Sequence, residues 1–166
     1  MSVKPTPSLK PRYATPRNLA RPTDGAKEAR IAEALGTPFL PWQRMVSDVF
    51  GEIDPDTGTY YYDTLVLTVQ RQAGKTTRER ATETRNALWG PNRRVWYLAQ
   101  TGKDASQQFR EYITGFDKSP LAPLAASKRM SNGSMCLTLK NGSTIQPGGT
   151  TDSGGHGFQG DSLTLD

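Results

Sequence analysis

The sequence has 166 residues, of which 34% are hydrophobic and 22% are charged, and this length predicts one domain that can bury a sizeable core. Its apolar runs are too short to span a bilayer, and the basic N-terminus lacks the apolar stretch of a secretory signal. The single cysteine, Cys136, excludes an intrachain disulfide and a zinc site built from cysteines.

The net charge of +5 is concentrated at the N-terminus, because residues 1–30 hold seven basic and two acidic residues and the remainder is balanced. Five prolines among residues 1–22 predict a basic, disordered tail, which leaves residues 23–166 as the domain. Such a tail has two interpretations. It contacts the phosphates of nucleic acid, or it is a solvated arm without a ligand.

The first half of the domain predicts two helices, a strand and a third helix. Residues 24–36 form a short helix that ends at Gly36, and the next helix carries one apolar face. Residues 61–69, YYDTLVLTV, have the nearly continuous apolar end of a buried parallel strand. Residues 76–89 then form a helix closed by Gly-Pro. The apolar face of the second helix consists of Trp42, Met45, Val46, Val49 and Phe50.

The order of strand and helix then repeats. Residues 93–99 predict a strand, and residues 101–116 predict a helix with a capping box at its start and an apolar stripe. A hairpin turns at Asn141-Gly142, and residues 162–166, SLTLD, form a final strand. This order predicts an α/β fold with a parallel sheet flanked by helices. The stripe consists of Phe109, Tyr112, Ile113 and Phe116.

A possible phosphate-binding loop lies between the first strand and its helix, in VQRQAGKTT, residues 69–77. Gly74 allows backbone N–H groups to approach a phosphate, Lys75 can reach the β- and γ-phosphates, and the Thr76 hydroxyl can bind magnesium. The first glycine of the usual motif is replaced by Val69. The alternative is a surface turn before a helix, and the predicted strand–loop–helix context favours the phosphate loop.

A phosphate loop of this kind needs an acidic residue at the end of another strand, and Asp166 follows Leu163, Thr164 and Leu165. An aspartate in this place holds the magnesium ion. The alternative is a strand that ends in a solvated aspartate.

Four stretches together resemble the ATPase domain of the large subunit of tailed-bacteriophage terminase, a P-loop NTPase of the ASCE/RecA-like class. LPWQRMVSDVF resembles the family's adenine-side motif, and VQRQAGKTT resembles its deviant Walker A loop with an internal arginine. WYLAQTGKDASQQF resembles the strand and helix that follow. GGTTDSGGHGFQGDSLTLD resembles the approach to its Walker B strand, with His156-Gly157 in the loop before it.

The resemblance implies roles for individual residues. Gln43 would read adenine, Arg71 and Lys75 would be catalytic, and Thr76 and Asp166 would hold Mg²⁺. From the residues alone, the preferred interpretation of Gln43 is a surface polar residue beside the apolar face. The full set implied to bind ATP is Gln43, Arg71, Gln72, Ala73, Gly74, Lys75, Thr76 and Thr77.

The resemblance also implies partners: double-stranded DNA, a portal protein, a terminase small subunit and further copies of the chain in a homo-oligomeric ring. It implies no membrane and a location in the cytoplasm of the host cell. The family's catalytic glutamate follows the Walker B aspartate, and its nuclease domain comes later. Since the sequence ends at Asp166, we expect an ATPase domain that is incomplete at its C-terminus. The alternatives are a helicase-like translocase and a regulatory protein that binds nucleotide without hydrolysing it.

Overall fold

The computed structural model describes residues 11–150 and 159–166. The elements in these ranges follow the order ααα-βα-βββ-β, with a single 3₁₀ turn at Ala122–Leu124 before the second strand. The helices are α1 (Gly25–Ala34), α2 (Pro41–Phe50), α3 (Lys75–Leu88) and α4 (Gly102–Asp117). The strands are β1 (Arg94–Ala99), β2 (Ala125–Arg129), β3 (Cys136–Leu139), β4 (Thr144–Gly149) and β5 (Ser162–Leu165).

The five strands form one mixed sheet in the order β2-β3-β4-β1-β5. Strand β1 is parallel to β4 and to β5, while β3 is antiparallel to β2 and β4. The α/β architecture is therefore confirmed, with β1, α4 and β4 as a parallel crossover unit. A wholly parallel sheet is not what forms, because the predicted hairpin adds antiparallel strands at one edge, including β2, which the sequence analysis missed.

The main core lies where α3 and α4 pack on one face of the sheet. Val95 and Ile145 from the parallel strands meet Ala87 of α3 and the predicted stripe of α4 there, so the amphipathic pattern of α4 is confirmed. Thr101 caps α4 by accepting a hydrogen bond from the Asp104 N–H at 3.1 Å. On β5, in contrast, Leu163 and Leu165 are 55% and 65% exposed.

Helix α1 packs against α2 and α3, and a buried ionic network joins it to α3. Arg85 of α3 donates to Asp24 at 3.0 Å and lies 3.8 Å from Glu28, and all three side chains are at most 3% exposed. The Tyr60 hydroxyl donates to the second oxygen of Asp24 at 2.6 Å. Burial of these charges is tolerated because they face one another, and the network fixes α1 on the outer side of α3.

Helix α2 is confirmed, but its burial differs from its apolar pattern. The buried residues of α2 are Gln43 and Ser47, while Met45 is 36% exposed. A Cβ atom on Gly25 would lie 2.7 Å from the Asp48 Cα, so α1 and α2 approach too closely for large side chains. Small and polar residues therefore occupy the contact.

The predicted strand over residues 61–69 is wrong for the described structure. Residues 64–70 have no regular secondary structure, and no backbone hydrogen bond joins residues 62–69 to another part of the described chain. Leu65, Leu67 and Val69 are partly buried while the residues between them are exposed, and Val66 is 86% exposed. The β-branched composition favours an extended backbone, but a strand also needs a neighbour to bond with.

The predicted tail makes contacts at its C-terminal end. The Arg17 and Arg21 guanidinium groups lie 2.9 and 3.0 Å from the buried Glu52 carboxylate, and the Ile53 N–H donates to the Pro22 carbonyl. Residues 1–10 lie outside the described residues. None of the described helices is long and apolar enough to cross a membrane.

Candidate functional site

The loop before α3 contains two residues with left-handed backbone. Gln72 has φ 62° and Gly74 has φ 94°, and the Ala73 N–H donates to the Gln70 carbonyl across the turn. A positive φ is strained for glutamine but natural for glycine. Left-handed residues next to right-handed ones turn successive N–H groups towards one side of the chain, which is the geometry of an anion-binding nest.

Helix α3 begins directly after this loop, at Lys75, and runs for 14 residues. Its first-turn N–H groups have no acceptor inside the helix, and the positive end of the helix dipole lies at the same place. Thr76 and Thr77 are partly buried, and within the described chain their hydroxyls make no side-chain hydrogen bond. The predicted strand is absent, but the predicted loop and helix geometry is present.

The Lys75 side chain meets Asp166, which follows β5, although the two residues are 91 positions apart. The Lys75 ammonium donates to one carboxylate oxygen, and the Tyr97 hydroxyl donates to the other at 3.0 Å. Burial acts to raise the pKa of Asp166, but these hydrogen bonds outweigh it and the pKa lies below its usual value. The hydrogen bond to Asp166 in turn raises the pKa of Lys75, so both groups are charged at neutral pH.

Two further carboxyl groups lie beside this pair, on α3. Glu79 Oε1 is 3.9 Å from the Lys75 ammonium, and Glu83 lies one helical turn further along. Burial, followed by the charges of neighbouring carboxylates, raises the pKa of Glu79 to about 7 and that of Glu83 to about 8. The two glutamates line one small cavity with Thr76 and Tyr97. The sequence analysis missed them, although their spacing of four on a predicted helix was a usable signal.

Gln43 also lies at the loop. Its side chain is 1% exposed, its Nε2 donates to the Gly74 carbonyl at 2.7 Å, and its Oε1 accepts from the Leu40 N–H at 2.6 Å. The structure thus brings Gln43 to the predicted phosphate loop, across 31 residues of sequence. Both ends of its amide bond to backbone groups here. The reading of adenine by Gln43 stays a prediction.

The remaining predicted residues take different positions. Arg71 and Gln72 are exposed and Ala73 is partly buried, and no side-chain hydrogen bond holds Arg71 or Gln72 to other described residues. The catalytic role of Arg71 stays a prediction. His156-Gly157, predicted for the loop before the last strand, lies outside the described residues.

The donor set fits magnesium bound together with a nucleotide better than a metal held by protein alone. Over residues 11–150 and 159–166, no group of three or more His, Cys, Asp or Glu side chains is placed to hold a metal ion. Mg²⁺ is commonly bound by one or two protein oxygens, substrate phosphates and water. Thr76, with no side-chain partner, and Asp166, which is 26% exposed, are oxygen donors of that kind.

Comparisons with known proteins identify no relative: no family model, curated protein or solved structure matches this chain.

Proposed function

We propose that this protein binds ATP with Mg²⁺ through residues 70–77. The observation that carries the proposal is the meeting of Lys75 and Asp166. A helix N-terminus after a left-handed glycine is a general anion site. A lysine at that terminus beside an aspartate at the end of a parallel strand is a more specific arrangement, because P-loop NTPases use a lysine and a strand-end aspartate to bind phosphates and Mg²⁺.

Different groups of this chain are assigned to the phosphates and to the metal ion. The first N–H groups of α3 and the Lys75 ammonium would bind phosphate oxygens, and the Thr76 hydroxyl and the Asp166 carboxylate would hold Mg²⁺. The ion, when bound, neutralises charge that develops on the transferred phosphoryl group. The Lys75 ammonium donates to the Asp166 carboxylate, so a phosphate that binds Lys75 would exchange one anionic partner of this cation for another.

The finer proposal is the ATPase part of a phage terminase large subunit, which powers translocation of double-stranded DNA into a procapsid. It is supported by the order of the four stretches that resemble this family and by the position of Gln43 beside the loop. Partners of such a protein would be DNA, a portal protein and a small subunit, in the cytoplasm of the host cell.

The first experiment measures Mg-ATP binding by calorimetry for the wild type, Lys75→Ala and the control Lys140→Ala. Lys140 is exposed at the hairpin, and the next residue, Asn141, bonds to the Ala87 carbonyl at the end of α3 opposite Lys75. Loss of charge-assisted hydrogen bonds to phosphate, worth about 1.5–3 kcal/mol, should weaken binding by Lys75→Ala roughly 10- to 100-fold, while Lys140→Ala should bind as the wild type does. Equal affinity for all three folded proteins would remove the loop from the site.

A further inference from the structure

The Gln43 side chain connects the start of α2 to the last peptide of the loop. Its amide oxygen accepts from the Leu40 N–H, which is the N-cap position of α2, and its amide nitrogen donates to the Gly74 carbonyl. At 2.7 Å the latter bond is much shorter than the 3.4 Å from the Arg78 N–H to the same carbonyl. Gln43 is therefore the principal partner of that carbonyl among the described residues.

Holding the Gly74 carbonyl also fixes the N–H of Lys75. These two groups belong to one planar trans peptide and point in opposite directions. With the carbonyl directed at Gln43, the Lys75 N–H is directed away from α2. As the first residue of α3, Lys75 has no acceptor for this N–H inside the helix, so the hydrogen bond to Gln43 decides the direction of a donor that is available for an anion.

The peptide needs such a restraint because its carbonyl belongs to a glycine. Gly74 has φ 94°, and glycine populates many backbone states at little cost. Without Gln43, only the 3.4 Å bond from the Arg78 N–H would hold the carbonyl of the Gly74–Lys75 peptide. Gln43 also packs on the bare Cα, since a Cβ on Gly74 would lie 3.0 Å from its Nε2. The buried amide thus restrains this peptide by a hydrogen bond and by contact.

We propose that Gln43 is a positioning residue, which holds the Lys75 N–H in the direction that binds phosphate. The proposal rests on the proposed phosphate site and deepens it. It differs from the reading of adenine in a measurable way. Loss of a residue that orients the loop peptide weakens the binding of every phosphate ligand by the same factor. Loss of a residue that reads adenine weakens the binding of ATP alone.

The test compares the wild type with Gln43→Met and Gln43→Asn in the full chain. Methionine keeps the length of the side chain and loses both hydrogen bonds, while asparagine keeps the amide and is one methylene too short to reach Gly74. Gln107→Met, on the exposed side of α4, is the matched control. The probes are Mg-ATP, Mg-GTP and inorganic tripolyphosphate, and urea unfolding checks that each variant is folded.

We expect both Gln43 variants to bind all three probes more weakly by a common factor, roughly 3- to 10-fold, the effect of about one neutral hydrogen bond. Amide hydrogen exchange at Arg78, whose N–H donates to the Gly74 carbonyl at 3.4 Å, should be faster in both variants when measured without ligand and unchanged in Gln107→Met. Faster exchange is expected because the peptide is no longer restrained.

The outcomes separate the inference from the function on which it rests. A loss confined to Mg-ATP would overturn the inference in favour of adenine reading, and unchanged affinities would overturn it outright. In both cases Lys75→Ala would still weaken all three probes if the phosphate site is real. A wild type that binds none of the probes would refute the phosphate site and the inference together.

Discussion

Replacement of Glu83 by glutamine should change how the stability of the protein depends on pH. Glu83 is 4% exposed on α3, and its Oε1 has no hydrogen-bond partner in the described structure. Burial and the nearby Glu79 carboxylate raise its pKa to about 8, although the Thr164 hydroxyl, which bonds to the carboxylate, acts in the opposite direction. The folded protein therefore holds a proton on Glu83 at neutral pH.

The sign and size of the effect follow from proton linkage. In the unfolded chain the pKa of Glu83 is the ordinary glutamate value of 4.5, so from about pH 5 to pH 8 the folded state binds about one more proton than the unfolded state. The free energy of unfolding then falls as pH rises, by about 1.4 kcal/mol per pH unit for this one group. Between pH 5.5 and pH 7.5 the loss is about 2.7 kcal/mol on the same basis.

The assay is urea unfolding at pH 5.5, 6.5 and 7.5 for the wild type, Glu83→Gln and the control Glu33→Gln. Glu33 is exposed on α1. Glutamine does not titrate, so the free energy of unfolding of Glu83→Gln, relative to that of the wild type, should rise by about 2.7 kcal/mol from pH 5.5 to pH 7.5. The free energy of unfolding of Glu33→Gln should change with pH as that of the wild type does. If the curves for wild type and Glu83→Gln stay parallel, Glu83 is ionised in the folded protein and the reasoning from its burial is wrong.

Two further predictions concern the loop and the tail. Gly74→Ala places a Cβ on a residue with φ 94°, so it should destabilise the protein by about 1–2 kcal/mol. Gly115→Ala lies within a helix and leaves no atom within 4 Å of the added Cβ, so it should stabilise the protein by roughly 0.5–1 kcal/mol. Urea unfolding measures both changes, and equal effects would contradict the left-handed backbone of the loop. Deletion of residues 1–16 removes three basic residues and spares Arg17, which contacts Glu52. If these charges contact DNA phosphates, the slope of log affinity for duplex DNA against log salt should become shallower by up to about 2.7, and an unchanged slope would mean that the removed segment is only a solvated arm.

The helices and the hairpin were predictable from the sequence because their signals are local. The apolar stripe of α4 and its Thr101 cap depend on residues at most a few turns apart. The turn at Asn141-Gly142 uses the left-handed backbone of Gly142, at φ 83°. The loop before α3, with the left-handed Gly74 at its end, was predictable for the same reason, since Gly74, Lys75 and Thr76 are adjacent.

Contacts between distant residues could be decided only by the tertiary structure. Residues 64–70 have the composition of a strand, but pairing depends on a neighbouring edge that local sequence does not specify, and in the described chain they are unpaired. The position of Gln43 also depends on a distant contact. The sequence left its amide as a surface group or a group that reads adenine, and in the structure it bonds to the Gly74 carbonyl.

The candidate site shows most clearly which features the sequence determines and which depend on the tertiary structure. The sequence by itself determined which residues carry charge and where a helix begins, so Lys75 and Asp166 could each be named as candidates. Their meeting depends on the parallel pairing of β5 with β1 and on the packing of α3 against that part of the sheet. The raised pKa values of Glu79 and Glu83 depend on the same packing, because desolvation is a property of the surroundings that folding creates and not of the residue itself.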